Sequence, residues 1–100
     1  MKLIGTGSAL PRKVVTNDDL SRFLDTSDDW IYPRTGIKTR HIISDERLED
    51  LAAEAVRKAL ENAGVTPEDI DLLICSNVVN EYLTPGLGCI ISAATGITCP

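Results

Sequence analysis

The sequence predicts an α/β fold, and three observations carry that prediction. Residues 46–63 keep one apolar face over about four helical turns. Residues 70–76 form a short, nearly continuous apolar run of the kind that suits a strand buried on both faces. Strand-like and helix-like segments follow one another along the chain, which is the order of an α/β layer arrangement.

The elements follow from local chemistry. Lys2 to Gly7 opens as a short apolar run with two glycines and reads as a strand entering a turn closed by Pro11. Thr16-Asn17-Asp18-Asp19 offers an N-cap oxygen and acidic first-turn residues, and Leu20, Phe23 and Leu24 follow at helical spacing. Thr26-Ser27-Asp28-Asp29 repeats the pattern with Thr26 as the expected cap. That second helix is expected to be brief, because Pro33 cannot donate to the ladder and biases Tyr32 away from helical geometry. Arg34 to Ile43, with Gly36 and alternating Thr39, His41 and Ile43, suits an extended segment or hairpin.

From 46 to 63, Leu48, Leu51, Ala52, Ala55, Val56, Ala59, Leu60 and Ala63 form the apolar face. Acids gather at its start, Arg57 and Lys58 come later, Glu54 and Lys58 pair at i, i+4, and Gly64 is the expected stop. Thr66-Pro67-Glu68-Asp69 reads as one capped turn with proline first. Ile70 to Ser76 is the buried strand, Thr84-Pro85 opens a last helix that Gly96 ends, and Ile97 to Pro100 begins to look extended. A strand buried on both faces needs two neighbours, and one clear partner is visible, so residues 1–100 read as an incomplete domain of a larger fold.

The 100 residues are 43% hydrophobic and 25% charged, a globular composition, but only 4% aromatic, which is thin for a self-sufficient core. No apolar run approaches the ~20 residues of a membrane span, so a membrane protein is not expected. The net charge of −5 divides unevenly: seven Lys/Arg against five Asp/Glu in residues 1–43, and three against ten in residues 44–100. Overall acidity argues against nucleic-acid binding, which wants a broad basic face. Arg34, Lys38, Arg40 and His41 remain as a local basic island where an anion could sit.

Three cysteines, Cys75, Cys89 and Cys99, make no even disulfide framework and no Cys-x-x-Cys pair, and a single histidine argues against a Cys/His metal site. The expectation is a cytoplasmic protein without a metal. Cys75, in the apolar run, and Cys89, beside the apolar stripe of the last helix, read as small inert hydrophobes, and His41 as a surface or structural histidine. Gly5-x-Gly7 lacks the third glycine of a dinucleotide fingerprint, Leu10 standing in its place, and no phosphate-binding Gly-x-x-x-x-Gly-Lys occurs. The stretch 25–37 sets the only tryptophan, Trp30, four residues before Arg34. An indole stacks on a heteroaromatic base and a guanidinium fork binds phosphate, although a core plug and an Arg–Asp pair would use the same residues.

Asp25-Thr26-Ser27-Asp28-Asp29-Trp30-Ile31, then Arg34-Thr35-Gly36-Ile37-Lys38-Thr39-Arg40, resembles the signature of β-ketoacyl-acyl carrier protein synthase III. Ile4-Gly5-Thr6-Gly7-Ser8, Thr16-Asn17, Ala52-Ala53-Glu54-Ala55, Ala63-Gly64, Ile70 to Ile74 and Pro85 continue the likeness along essentially the whole chain. The resemblance implies a thiolase-like fold, of which these residues supply part of the N-terminal α/β half, in a homodimeric acyltransferase. Such enzymes condense an acyl-CoA primer with malonyl-acyl carrier protein to begin fatty-acid synthesis. CoA there is a substrate, so no cofactor is implied.

Residue by residue, the resemblance makes Trp30 the stacking partner of the CoA adenine, Arg34 a contact to the nucleotide and its phosphates, and Thr26 a neighbouring contact. Thr84 matches a position at the dimer interface and acyl pocket where some members carry phenylalanine, so tolerance of primers longer than acetyl is expected. The nucleophilic cysteine, the histidine and the asparagine of the family are expected beyond residue 100, and none of the chain's own cysteines matches that nucleophile. The alternatives are a related condensing enzyme or acyltransferase of secondary metabolism, a non-catalytic CoA-binding fragment, and one subunit of a split enzyme.

Overall fold

The computed structural model describes residues 1–99, and the expectation at Pro100 lies outside them. In chain order the elements are β1 (Lys13–Thr16), α1 (Asn17–Ser21), α2 (Asp28–Thr35), β2 (Thr39–Ile42), α3 (Leu48–Ala63), a 3-10 turn (Pro67–Asp69) and α4 (Leu87–Thr95). They fall into two compact units, one of residues Leu10–Glu46 and one of Met1–Ala9 with the chain from Arg47 onward.

In the Leu10–Glu46 unit, β1 and β2 pair antiparallel, with Val15 opposite Arg40 and Thr16 opposite Thr39. β2 is the extended segment that the alternation in 39–43 predicts. β1 was not expected, and it forms because Val14 and Val15, both β-branched, face that partner. Thr16 both ends β1 and caps α1. Its hydroxyl accepts from the Asp19 N–H at 3.0 Å, and the Asp19 carboxylate accepts from the Thr16 N–H at 3.0 Å. These bonds, the Thr16 backbone N–H first, hold the Asp19 carboxyl below the usual range.

Two expectations for α2 are corrected. Its cap is Ser27, not Thr26: the helix starts at Asp28, so Ser27 Oγ is the oxygen that reaches the Trp30 N–H, at 3.2 Å. Nor does Pro33 end it. Proline withholds one donor, the one that would serve the Asp29 carbonyl, and the next residues close the turn around that loss. Arg34 donates to the Trp30 carbonyl at 2.9 Å, the Thr35 hydroxyl to Ile31 O at 2.9 Å, and the Gly36 N–H to Tyr32 O at 2.7 Å. Gly36, at φ +70°, then supplies the left-handed stop.

In the other unit, α3 and α4 pack together around Ala53, Leu87, Ile91 and Ile97. α3 ends where expected, stopping at Gly64, φ +68°, and begins at Leu48, two residues later than the expected 46. α4 begins at Leu87, a turn later than Thr84-Pro85 suggested, and Arg57 on α3 donates to the Ala94 carbonyl near its C-terminus at 2.8 Å. The turn at Pro67 carries the reciprocal Thr66–Asp69 capping box that its sequence predicts. Loop 77–86 is tied to the start of α3 by Arg47, which contacts Glu49, donates to the Tyr82 hydroxyl at 2.9 Å and lies 3.7 Å from Glu81.

Gly5 and Gly7 run against α3. A Cβ on Gly5 would stand 2.6 Å from the Ala63 Cβ and 2.7 Å from the Ala59 carbonyl oxygen, and one on Gly7 would collide with the Ala55 carbonyl and the Ala59 nitrogen. The Thr6 N–H donates to Asn62 at 3.1 Å and Lys58 to the Ser8 carbonyl at 3.2 Å, holding the segment on the helix. The glycine pair is thus a close-approach device against a helix, not a nucleotide turn.

Contrary to expectation, residues 2–7 and 70–76 form no strand among the described residues. A strand is defined by its ladder, and among the described residues only β1 and β2 pair. The apolar run is accordingly open, with Ile74 81% exposed and Leu72 and Val78 exposed beside it. Cys75 is half-buried, with no partner strand among the described residues to enclose its thiol.

Candidate functional site

α2 presents the residues singled out in the sequence. No residue of this helix is buried. Trp30 is 56% exposed, so nothing among the described residues encloses the indole. The Arg34 guanidinium lies over that indole, 4.6 Å from the ring centroid, so it pairs with an aromatic face and not with an aspartate. Lys38 stands over the Tyr32 ring at 5.0 Å, a second cation–aromatic pair on the same unit that sequence reasoning missed. Its signal was legible only as a lysine six residues after a tyrosine across a glycine stop, a spacing that no helix or strand period favours.

The basic island divides by role. Arg34 and Lys38 lie on aromatic rings with their charge exposed. Arg40 is committed inward, donating to Asn17 Oδ1 at 2.6 Å and to the Val15 carbonyl at 3.3 Å. His41 Nδ1 lies 2.6 Å from the Pro11 carbonyl oxygen, and a carbonyl only accepts, so Nδ1 carries the proton. His41 is therefore structural, as its sequence context suggested. Thr26 is half-buried just before the Ser27 cap, and its N–H donates to the Leu24 carbonyl at 2.9 Å.

The same unit is braced by Arg12, which contacts Asp45 and reaches Glu46 at 3.3 Å. The Arg12 N–H, then that of Ser44, donates to Glu46 and holds its carboxyl at about 2.

In the other unit, Cys75, Cys89 and Cys99 all line one cavity of about 360 Å³, together with Asn77, Asn80 and Ser92. Cys89 is exposed and the other two are half-buried, so the thiols line an open hollow that Leu73 and Leu87 also line, instead of filling a core. Among the described residues no group of three or more His, Cys, Asp or Glu side chains is arranged to hold a metal ion. Thr84 is exposed on the loop before α4. No described helix is long and apolar enough to cross a membrane.

No family model matches the chain. Individual proteins do. The chain is 48% identical over 96 residues to the β-ketoacyl-[acyl-carrier-protein] synthase III of Xanthomonas euvesicatoria, a match that takes in 95% of this chain and 30% of that protein. A crystal structure of 3-oxoacyl-[acyl-carrier-protein] synthase III from Aquifex aeolicus superposes with a TM-score of 0.90 at 40% identity, over 97% of this chain and 32% of that one. The priming β-ketosynthase of the R1128 polyketide pathway gives 0.88 at 38% identity, over 97% and 29%. The chain thus spans about a third of the length of the relatives it matches. In sequence and in fold it corresponds to the N-terminal portion of a β-ketoacyl-acyl carrier protein synthase III, with the matching part of that thiolase-like fold.

Proposed function

We propose that these residues supply the adenine end of a CoA site in a protein that condenses an acyl-CoA primer with malonyl-acyl carrier protein. The observation that carries this reading is the exposed Trp30 indole with the Arg34 guanidinium stacked beside it on one helix. A flat aromatic surface and a fork of N–H donors suit a purine and its phosphates. Thr26, just before the Ser27 cap, is the third contact.

The chemistry belongs to residues outside these 100. A cysteine thiolate takes the acyl group and releases CoA, and loss of CO₂ from the malonyl group leaves a carbanion that attacks the new thioester. A histidine and an asparagine assist the decarboxylation, and backbone N–H groups hold the oxyanion. The protein works as a cytoplasmic homodimer, and Thr84 lies where the subunits and the acyl pocket meet. The open apolar residues Leu72, Ile74 and Val78 fit a sheet that the rest of the subunit completes.

Intact-mass measurement of the protein from its natural source, before and after incubation with acetyl-CoA or a longer acyl-CoA, tests the reading. The expected result is a species about three times this length that gains one acyl group. With Trp30→Ala the acylation is expected to need at least ~10-fold more acyl-CoA, from loss of the stacking surface. A protein that gains no acyl group from either donor would overturn the proposal.

A further inference from the structure

We infer that Asn17 is a positioning residue for this CoA site, a conclusion that rests on the reading of Trp30 and Arg34 given above. Asn17 is 2% exposed, the most enclosed polar side chain described, although it sits among acidic surface residues at the start of α1. Both its amide donors and its amide oxygen are engaged. One amide nitrogen, Nδ2, donates to Asp28 Oδ1 at 2.7 Å and to the Ile37 carbonyl at 2.8 Å, while Oδ1 accepts from Arg40 at 2.6 Å.

Those partners have a particular placement. Asp28 is the first residue of α2, and Ile37 directly follows the Gly36 stop at its other end. One buried side chain therefore pins both ends of the helix that carries Trp30 and Arg34. The Asn17 N–H adds a bond to the Lys38 carbonyl at 3.2 Å, so the residue bearing the second cation is held by the same position. Arg40 closes the network from β2.

α2 needs such a clamp. It buries no residue of its own, so packing does little to fix it, and Pro33 removes one of its internal hydrogen bonds. In place of an apolar face the helix is oriented by a buried polar hub, in which each bond is directional and an unsatisfied member is costly. The orientation of the indole and the guanidinium then depends on a residue that touches neither.

The test uses the intact protein with adenosine 3′,5′-bisphosphate as the probe. Its dissociation constant is measured by calorimetry, KM and kcat are measured with acyl-CoA, and amide exchange over 28–36 is followed by mass spectrometry. Asn17→Ala is expected to raise the dissociation constant and KM by ~10-fold or more, with faster exchange in α2 and unchanged exchange in α3. Asn17→Asp places a carboxylate against both Asp28 and the Ile37 carbonyl and is expected to weaken binding as well. Combining it with Asp28→Asn restores the bond to residue 28 with donor and acceptor exchanged but leaves a carboxylate oxygen against the Ile37 carbonyl, so it is expected to recover part of the affinity, above Asn17→Asp alone and below wild type.

Faster exchange in α2 with unchanged affinity would overturn the positioning role, as would an Asn17→Asp/Asp28→Asn pair no better than Asn17→Asp alone. The pair also decides the matter if Asn17→Ala fails to fold. A wild-type protein that does not bind the bisphosphate would instead overturn the CoA reading, and exchange over 28–36 would still report whether Asn17 clamps the helix.

Discussion

Replacing Gly7 by alanine isolates the contact between the N-terminal segment and α3. The added Cβ would lie inside contact distance of the Ala55 carbonyl and the Ala59 nitrogen. Both are backbone atoms of a hydrogen-bonded helix, so neither can swing aside as a flexible side chain would. Overpacking of this kind costs about 1–3 kcal/mol, and a rigid backbone on the receiving side places this case near 3. A loss of that size shifts the folding equilibrium by roughly 100-fold. In an intact protein about three times this length it lowers Tm by at most about 6–12 °C.

Gly64→Ala is the companion. Its Cβ would meet nothing within 4 Å, but φ is +68°, so the cost is left-handed strain alone, about 1–2 kcal/mol. Thermal unfolding followed by circular dichroism at 222 nm reads both variants. The expected order is wild type, then Gly64→Ala, then Gly7→Ala. A Gly7→Ala protein that melts with the wild type, or above Gly64→Ala, would refute the close-approach account of the glycine pair.

The Glu46 carboxyl lies at about 2 in the fold against 4.5 as an ordinary glutamate, so its contribution to stability is complete above the ordinary value and is lost as pH falls toward 2. Wild type is therefore expected to melt above Glu46→Gln at neutral pH, and the gap to close with acidification; a gap constant down to pH 2 would contradict this, and urea titrations across the range measure it. Thr84→Phe in the intact protein is expected to depress kcat/KM for long acyl-CoA primers more than for acetyl-CoA, through lost pocket volume. Equal effects on both primers would remove Thr84 from the acyl pocket. Arg34→Lys keeps the charge but not the planar fork, and is expected to weaken bisphosphate binding by ~5-fold or more in a titration at fixed salt.

Much of this protein was legible before any fold was known, because the signals involved are local. The apolar stripe of α3, the Gly64 stop, and the Thr16 and Thr66 caps need only neighbours within four residues. Trp30 and Arg34 were legible as a pair for the same reason, being four apart on one helix.

Tertiary structure decided the rest. Whether residues 70–76 form a strand depends on a ladder partner, and no periodicity within the run supplies one. Whether Pro33 breaks α2 depended on Arg34, Thr35 and Gly36 re-closing the turn, and what Gly5 and Gly7 are for, once the missing third glycine had ruled out a dinucleotide turn, depended on the helix backbone that lies against them. Asn17 is the clearest case. In sequence it is one more polar residue in an acidic helix start, and only the meeting of β1, α2 and β2 makes it buried, bonded at both amide atoms and able to hold a helix by both ends.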